Sequence, residues 1–229
     1  MQKNVTYDRV YVWQAPVRMY HWVNATCIFM LVATGLIIGR PPAFLSAQEA
    51  SASYWFGWVR FLHFVAAFIM SAAFMVRVYW MFVGNKYARW DAFIPNSVKT
   101  FRRQVREAWM VLWVDILQIQ KEPIDYVGHN GLAALSYFAI FLITIFQICT
   151  GFALYAPLSS WWVPHMFAWV SPLMGGDAIV RVWHHTFTWA FVMFTIIHVY
   201  LSIFHDMTEG KGEISSIITG ARFVERNQR

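Results

Sequence analysis

Four long stretches of the chain are almost entirely apolar, over roughly residues 20–38, 59–83, 131–156 and 182–204. A helix needs about 20 apolar residues to cross a bilayer, so each stretch predicts a membrane span. A short segment, GRPPAFLSAQEASASYWFGW, joins spans I and II, and an aromatic-rich one, APLSSWWVPHMFAWVSPLMGGDAIV, joins spans III and IV. Between spans II and III lies a long polar segment, about 84–128. Within it Val105, Trp109, Leu112, Trp113 and Ile116 recur at helical spacing, with Arg102, Arg103 and Arg106 clustered near the start. This pattern predicts a helix lying in the membrane interface. A short fifth helix packed on the bundle is the alternative, and it is too polar to span.

Composition agrees with the pattern. The chain is 59% hydrophobic and 13% charged, with a mean hydropathy of +0.44, which is a membrane protein's balance. Its 13 Trp suit several membrane–water interfaces. A net charge of +6 would suggest nucleic acid in a soluble protein; here loops on one side of a membrane account for it. Lys3, Arg9 and Arg18 precede span I, and Lys86, Arg89, Lys99, Arg102, Arg103, Arg106 and Lys121 fill the long loop. Lys211, Arg222, Arg226 and Arg229 follow span IV, whereas the other side carries only Arg40, Arg60 and Arg181. The positive-inside rule then places both termini and the long loop in the cytoplasm. The expected fold is an all-α membrane protein of one domain over 1–229. It is a four-transmembrane-helix bundle with a cytoplasmic interfacial helix between spans II and III. Cys27 and Cys149 form no CxxC, CxxCH or iron–sulfur pattern and read as small core residues. The first apolar run lacks a small-residue cleavage site, so no cleavable signal peptide is expected.

An imidazole in hydrocarbon is costly unless something binds it, and five histidines lie within the spans. His21 opens span I, His63 lies near the outer end of span II, and span IV carries His184 near its outer end and His198 near its inner end. His184 and His198 are 14 residues apart, so they sit about 40° apart on one face and about 21 Å apart along the axis. His185 points about 100° away from His184. The same offset of 14 leads from His21 to Gly35 and from His63 to Arg77. Depth therefore pairs His63 with His184 on the outer side and His21 with His198 on the inner side. Two facing histidines at one depth make a bis-His haem site in a helix bundle, and two such sites make an electron path across the membrane. Zinc and a proton pathway are weaker readings, because the four histidines do not converge and no carboxylate occupies the spans.

Arg-x-x-His recurs as Arg18–His21, Arg60–His63 and Arg181–His184. Residues i and i+3 are neighbours on a helix, so each Arg, and Arg77 within span II, can pair with a haem propionate. Snorkelling to the headgroups explains the helix-end arginines equally well. Gly35 in ATGL and Gly151 in CTGF admit either a flat macrocycle or a neighbouring helix.

An ordered set of motifs then carries a resemblance: QAPVRMYHWVN, RFLHFVAA, RVYWMFVGNKYAR, YVGHNGLAALSYF, TGFALY and WHHTFTWAFVMFTIIHVY, followed by HDM and ISSIITGAR. From about residue 10 onward the chain resembles the b-type cytochrome subunit of membrane-bound Ni,Fe-hydrogenases. The resemblance implies two b haems on His21, His63, His184 and His198. It implies anchoring of a hydrogenase on the outer face of the bacterial inner membrane. Electrons would pass from Ni-Fe large subunit through the iron–sulfur small subunit and both haems to the quinone pool. The complex would assemble as a higher-order oligomer. The chain lacks the cysteines for hydrogen activation of its own. Where the family often has Arg-Glu-Asp after span IV, this sequence has FHDM, with His205 and Asp206.

Candidate quinone contacts are Tyr20, His129, His205 and Asp206. Trp161, Trp162, Phe167 and Trp169 are candidates for docking the partner or for simple interfacial anchoring. Two other readings stay open: a membrane anchor whose haem is largely structural, and the same electron-transfer module serving another periplasmic dehydrogenase.

Overall fold

The computed structural model describes residues 6–43, 54–111, 113 and 131–225. Four of its helices are long and apolar enough to cross a membrane, which is the expected all-α, four-span class. They are α1 (Ala15–Gly39), α2 (Trp55–Val83), α4 (Gly131–Tyr155) and α7 (Asp177–Glu209). Helices α1, α2 and α7 extend their apolar runs by a turn or more at one end or both, and α4 matches its run to within a residue. Pro16 sits in the first turn of α1, where no N–H is needed. Asp177 opens α7, where a carboxylate complements the helix dipole. Large apolar side chains such as Phe29, Met75, Met193 and Ile196 point outward, as they do where the solvent is lipid.

The chain packs as two units. One comprises residues 22–75 and 140–193. Here α2 and α4 meet through aromatic pairs, Phe64–Tyr155 at 4.3 Å, Phe68–Phe152 at 5.0 Å and Phe74–Phe141 at 5.0 Å between ring centroids. Phe146 and Phe187 join α4 to α7 at 4.8 Å. The aromatic-rich connection folds into α5 (Trp162–His165) and α6 (Val170–Met174). Trp161 packs on Phe68 and Phe167 stacks on Phe152, each at 5.4 Å.

The other unit comprises residues 1–21, 76–139 and 194–229, as far as they are described. It contains a strand pair that the apolar pattern does not predict. Strand β1 (Tyr7–Tyr11) pairs antiparallel with β2 (Ala221–Glu225), Arg9 opposite Phe223. Helix α8 (Glu213–Thr219) leads into β2. At its end Gly220 takes φ 85°, and its carbonyl accepts from Val12 N at 2.8 Å and Trp13 N at 3.0 Å. A Cβ there would stand 2.7 Å from the Trp13 carbonyl oxygen, so both conformation and space require glycine. Trp13 Nε1 donates to Ser216 at 3.2 Å, and Arg222 pairs with Glu213. Gln14 Oε1 accepts from Trp80 Nε1 at 3.0 Å and from Asn85 N at 2.9 Å, tying the end of α2 to the start of α1.

Helix α3 (Val98–Val111) is the expected amphipathic helix. Gln104 and Val111 are buried, while Phe101, Val105 and Trp109 are exposed. Leu112 and Ile116 of the expected apolar face lie outside the described residues.

Candidate functional site

His63 and His184 occupy matching environments. Thr34, on α1, donates its one hydroxyl hydrogen to the Met30 carbonyl at 2.5 Å. Its oxygen lies 2.9 Å from His63 Nδ1. The hydroxyl hydrogen is committed, so the imidazole donates through Nδ1–H. Thr150, on α4, repeats this: it donates to Phe146 O at 2.7 Å and accepts from His184 Nδ1 at 2.8 Å. Both threonines are buried. In a neutral imidazole with Nδ1 protonated, Nε2 keeps its lone pair, and each ring is therefore set to ligate through Nε2.

The glycine after each threonine makes room for the same ring. A Cβ on Gly35 would stand 3.3 Å from His63 Cε1, and one on Gly151 would stand 3.2 Å from His184 Cε1. These are tighter than ordinary contact, so a methyl group must displace the imidazole. Gly151→Ala is accordingly expected to shift the ring by a few tenths of an ångström. Its checks are an altered haem absorption or EPR spectrum with the fold retained; an unchanged spectrum would mean that the glycine serves helix packing alone. Gln147 Nε2 donates to the His184 carbonyl at 3.1 Å and fixes the backbone there. His63 is close enough to His184 for the two imidazoles to interact electrostatically.

Two hairpins thus share one construction. Thr34-Gly35 precedes Arg60-x-x-His63, and Thr150-Gly151 precedes Arg181-x-x-His184. The glycines were candidates from the sequence; the threonines beside them are positioning residues that the hydrogen bonds reveal. The recurrence of Thr-Gly one span upstream of each Arg-x-x-His was the signal available.

His21 and His198 face each other with ring centroids 6.2 Å apart, inclined at 53°. An imidazole nitrogen binds a metal at about 2 Å, so this opening fits one metal atom with a ring on either side. Phe194 stacks on His198 at 5.4 Å and 12°, holding its plane. No group of three or more His, Cys, Asp or Glu that could hold a metal ion occurs among the described residues. A structural zinc takes four protein ligands. Two imidazoles suit an iron whose other four ligands come from a macrocycle.

The remaining candidates are placed as follows. Arg77, 3% exposed, donates from Nε to Tyr137 Oη at 2.6 Å and from a terminal nitrogen to Ala88 O at 3.0 Å. Its guanidinium also lies over the rings of Phe93 and Tyr137. Tyr20 is close enough to Arg77 and Tyr137 to interact with both electrostatically. Arg18 donates to the Ile218 carbonyl at the end of α8, and Arg60 lies 6.0 Å from the Phe64 ring. His185 turns from His184 toward α1, where a Cβ on Gly39 would lie 3.2 Å from its ring. His165 Nε2 is 2.8 Å from Ser159 O. Asp206 accepts from Ile214 N in the first turn of α8 at 3.2 Å, a capping role. His205 packs against the Phe204 ring, and His129 lies outside the described residues. Trp161, Trp162 and Trp169 are exposed, while Phe167 stacks inward.

Residues 12–220 match the family model described as prokaryotic cytochrome b561. A probable Ni/Fe-hydrogenase B-type cytochrome subunit from Cupriavidus necator is 41% identical over 216 residues, covering 93% of this chain and 86% of that protein. The protein of the same description from Azotobacter vinelandii is 38% identical, covering 94% of this chain and 89% of its own length. A probable Ni/Fe-hydrogenase 1 B-type cytochrome subunit from Escherichia coli K12 is 33% identical, covering 93% and 90%.

Proposed function

Because this chain belongs to the prokaryotic cytochrome b561 family, we propose that it is the membrane cytochrome of a Ni/Fe-hydrogenase, carrying electrons through two b haems to quinone. The observation that carries the reading is the set of two histidine pairs. One pair faces across 6.2 Å, and each ring of the other is held at Nδ1 by a threonine. His63 and His184 would hold one haem, His21 and His198 the other. Haem supplies a one-electron iron couple when bound. The chain's part is to fix position and electronics. Thr34 and Thr150 orient the rings and make Nε2 more basic, Gly35 and Gly151 admit the rings, and Phe194 holds the plane of His198. With a histidine pair holding each haem, the group would supply electron transfer rather than oxygen chemistry.

The hydrogenase partner comes from the names of the relatives. Both termini would lie on the cytoplasmic side of a bacterial inner membrane, a placement the Lys and Arg distribution supports. The exposed Trp161, Trp162 and Trp169 would then face the periplasm and a hydrogenase small subunit. The His63/His184 pair would hold the haem on the hydrogenase side, and the His21/His198 pair the one on the quinone side. Tyr20 is the favoured quinone contact, because it lies beside the polar Arg77–Tyr137 pair and a quinone site needs a few polar groups. Asp206 is engaged in capping α8.

The test is a pyridine-haemochrome count per chain on purified protein, with His198→Ala beside it. Two b haems falling to one is the expected result. One haem in both would remove the His21/His198 site from the path.

A further inference from the structure

We propose that α3 carries a binding site for anionic glycerophospholipid, with the headgroup phosphate on Arg102 and Arg106 and an acyl chain along Phe101, Val105 and Trp109. At about 100° per residue, the helix divides into three adjoining arcs. Gln104 and Val111 lie about 20° apart and are buried against the protein. Phe101, Val105 and Trp109 follow at about 40° steps and are all exposed. Arg102 adjoins them about 20° further round, with Arg106, Lys99 and Arg103 continuing the arc at about 40°, 20° and 40° steps. A soluble protein does not leave such an apolar strip bare beside a row of cations. A helix lying in a bilayer surface does, because the strip enters the acyl region and the cations reach up to the phosphates.

Two shallow clefts match the two ends of one ligand. The first, about 400 Å³, is lined by Lys99, Thr100, Arg102, Arg103 and Arg106. The second, about 340 Å³, is lined by Phe101, Val105 and Trp109 together with the same Arg102 and Arg106. The shared arginines stand where a headgroup meets its chain. Arg103 is 3.7 Å from Glu107, whereas Arg102, Arg106 and Lys99 form no ion pair among the described residues. Their charges await an outside anion. A free phosphate would use the cationic cleft and leave the apolar one bare, so the chemistry favours a lipid. A zwitterionic headgroup brings its own cation and gains less.

The test uses the full chain in detergent, titrated with dioleoyl phosphatidylglycerol or dioleoyl phosphatidylcholine and read by native mass spectrometry. Phosphatidylglycerol should bind the tighter of the two. A cation near the surface contributes about fivefold to anionic-lipid binding, so Arg102→Gln/Arg106→Gln should weaken phosphatidylglycerol binding about 25-fold and leave phosphatidylcholine binding nearly unchanged. Helicity by circular dichroism serves as the fold check. If the double variant does not fold, the wild type in 0.5 M salt gives the same decision, because exposed charges are screened there and the preference should vanish. Equal binding of both lipids, or a preference that survives high salt or the double substitution, overturns the proposal. Competition by millimolar inorganic phosphate overturns the assignment to lipid.

Discussion

His184→Ala is expected to leave purified protein with one b haem instead of two and to abolish hydrogen-dependent quinone reduction. Thr150→Val tests the same site without removing the ligand. Valine keeps the shape of threonine and takes away the acceptor for His184 Nδ1–H, which lies 2.8 Å from the hydroxyl oxygen. A buried donor left without a partner costs about 1–3 kcal/mol, and loss of a ligand-orienting bond typically weakens metal binding about 10–100-fold. The sign of the redox effect follows from the bond. An acceptor at Nδ1 increases the electron donation of Nε2, which favours ferric iron. Removing it should raise the midpoint potential of that haem. An optical redox titration of Thr150→Val, beside haem content, checks both. Thr34→Val should act on the same haem through His63, and the double variant should exceed either single one. Unchanged content and potential in all three would sink the role given to the threonines.

Arg77 should dominate a different property, stability. A cation in a membrane span is expensive unless its surroundings replace water. Here the Tyr137 hydroxyl, the Ala88 carbonyl and two aromatic faces do so. Arg77 thereby fastens the turn after α2 to α4. Arg77→Leu deletes two charge-assisted hydrogen bonds and two cation–π contacts and leaves the Ala88 carbonyl unpaired. The expected loss is on the order of 4 kcal/mol, a large share of the 5–15 kcal/mol typical of a folded chain. Thermal unfolding in detergent should show a large drop in midpoint. Arg77→Lys should fall between, because an ammonium group cannot reproduce the planar fork. A haem spectrum altered without loss of stability would instead favour the propionate role.

The parts of this molecule that were legible are those in which a residue is out of place for its solvent. Apolar length reveals spans, and histidines inside them ask for a ligand, so His21, His63, His184 and His198 stand out in the sequence. Thr34 and Thr150 do not, because a threonine in a membrane helix satisfies its own hydroxyl on the carbonyl four residues back and needs no further explanation. Arg77 announced a buried role but not its partners, which arrive from 11 and 60 residues away. The β1–β2 ribbon was illegible for a related reason: a five-residue alternation is weak evidence until its partner is known, and Tyr7 pairs with Glu225 across nearly the whole chain.

That ribbon also sets a clock on the protein's birth. Ser216, which accepts from the Trp13 indole, is 203 residues further along the chain. At a synthesis rate of about 5–20 residues per second, Trp13 waits on the order of ten to forty seconds for it. All four spans are translated in that interval. The seam therefore closes after the membrane helices are made, and the residues that precede span I wait for those that follow span IV.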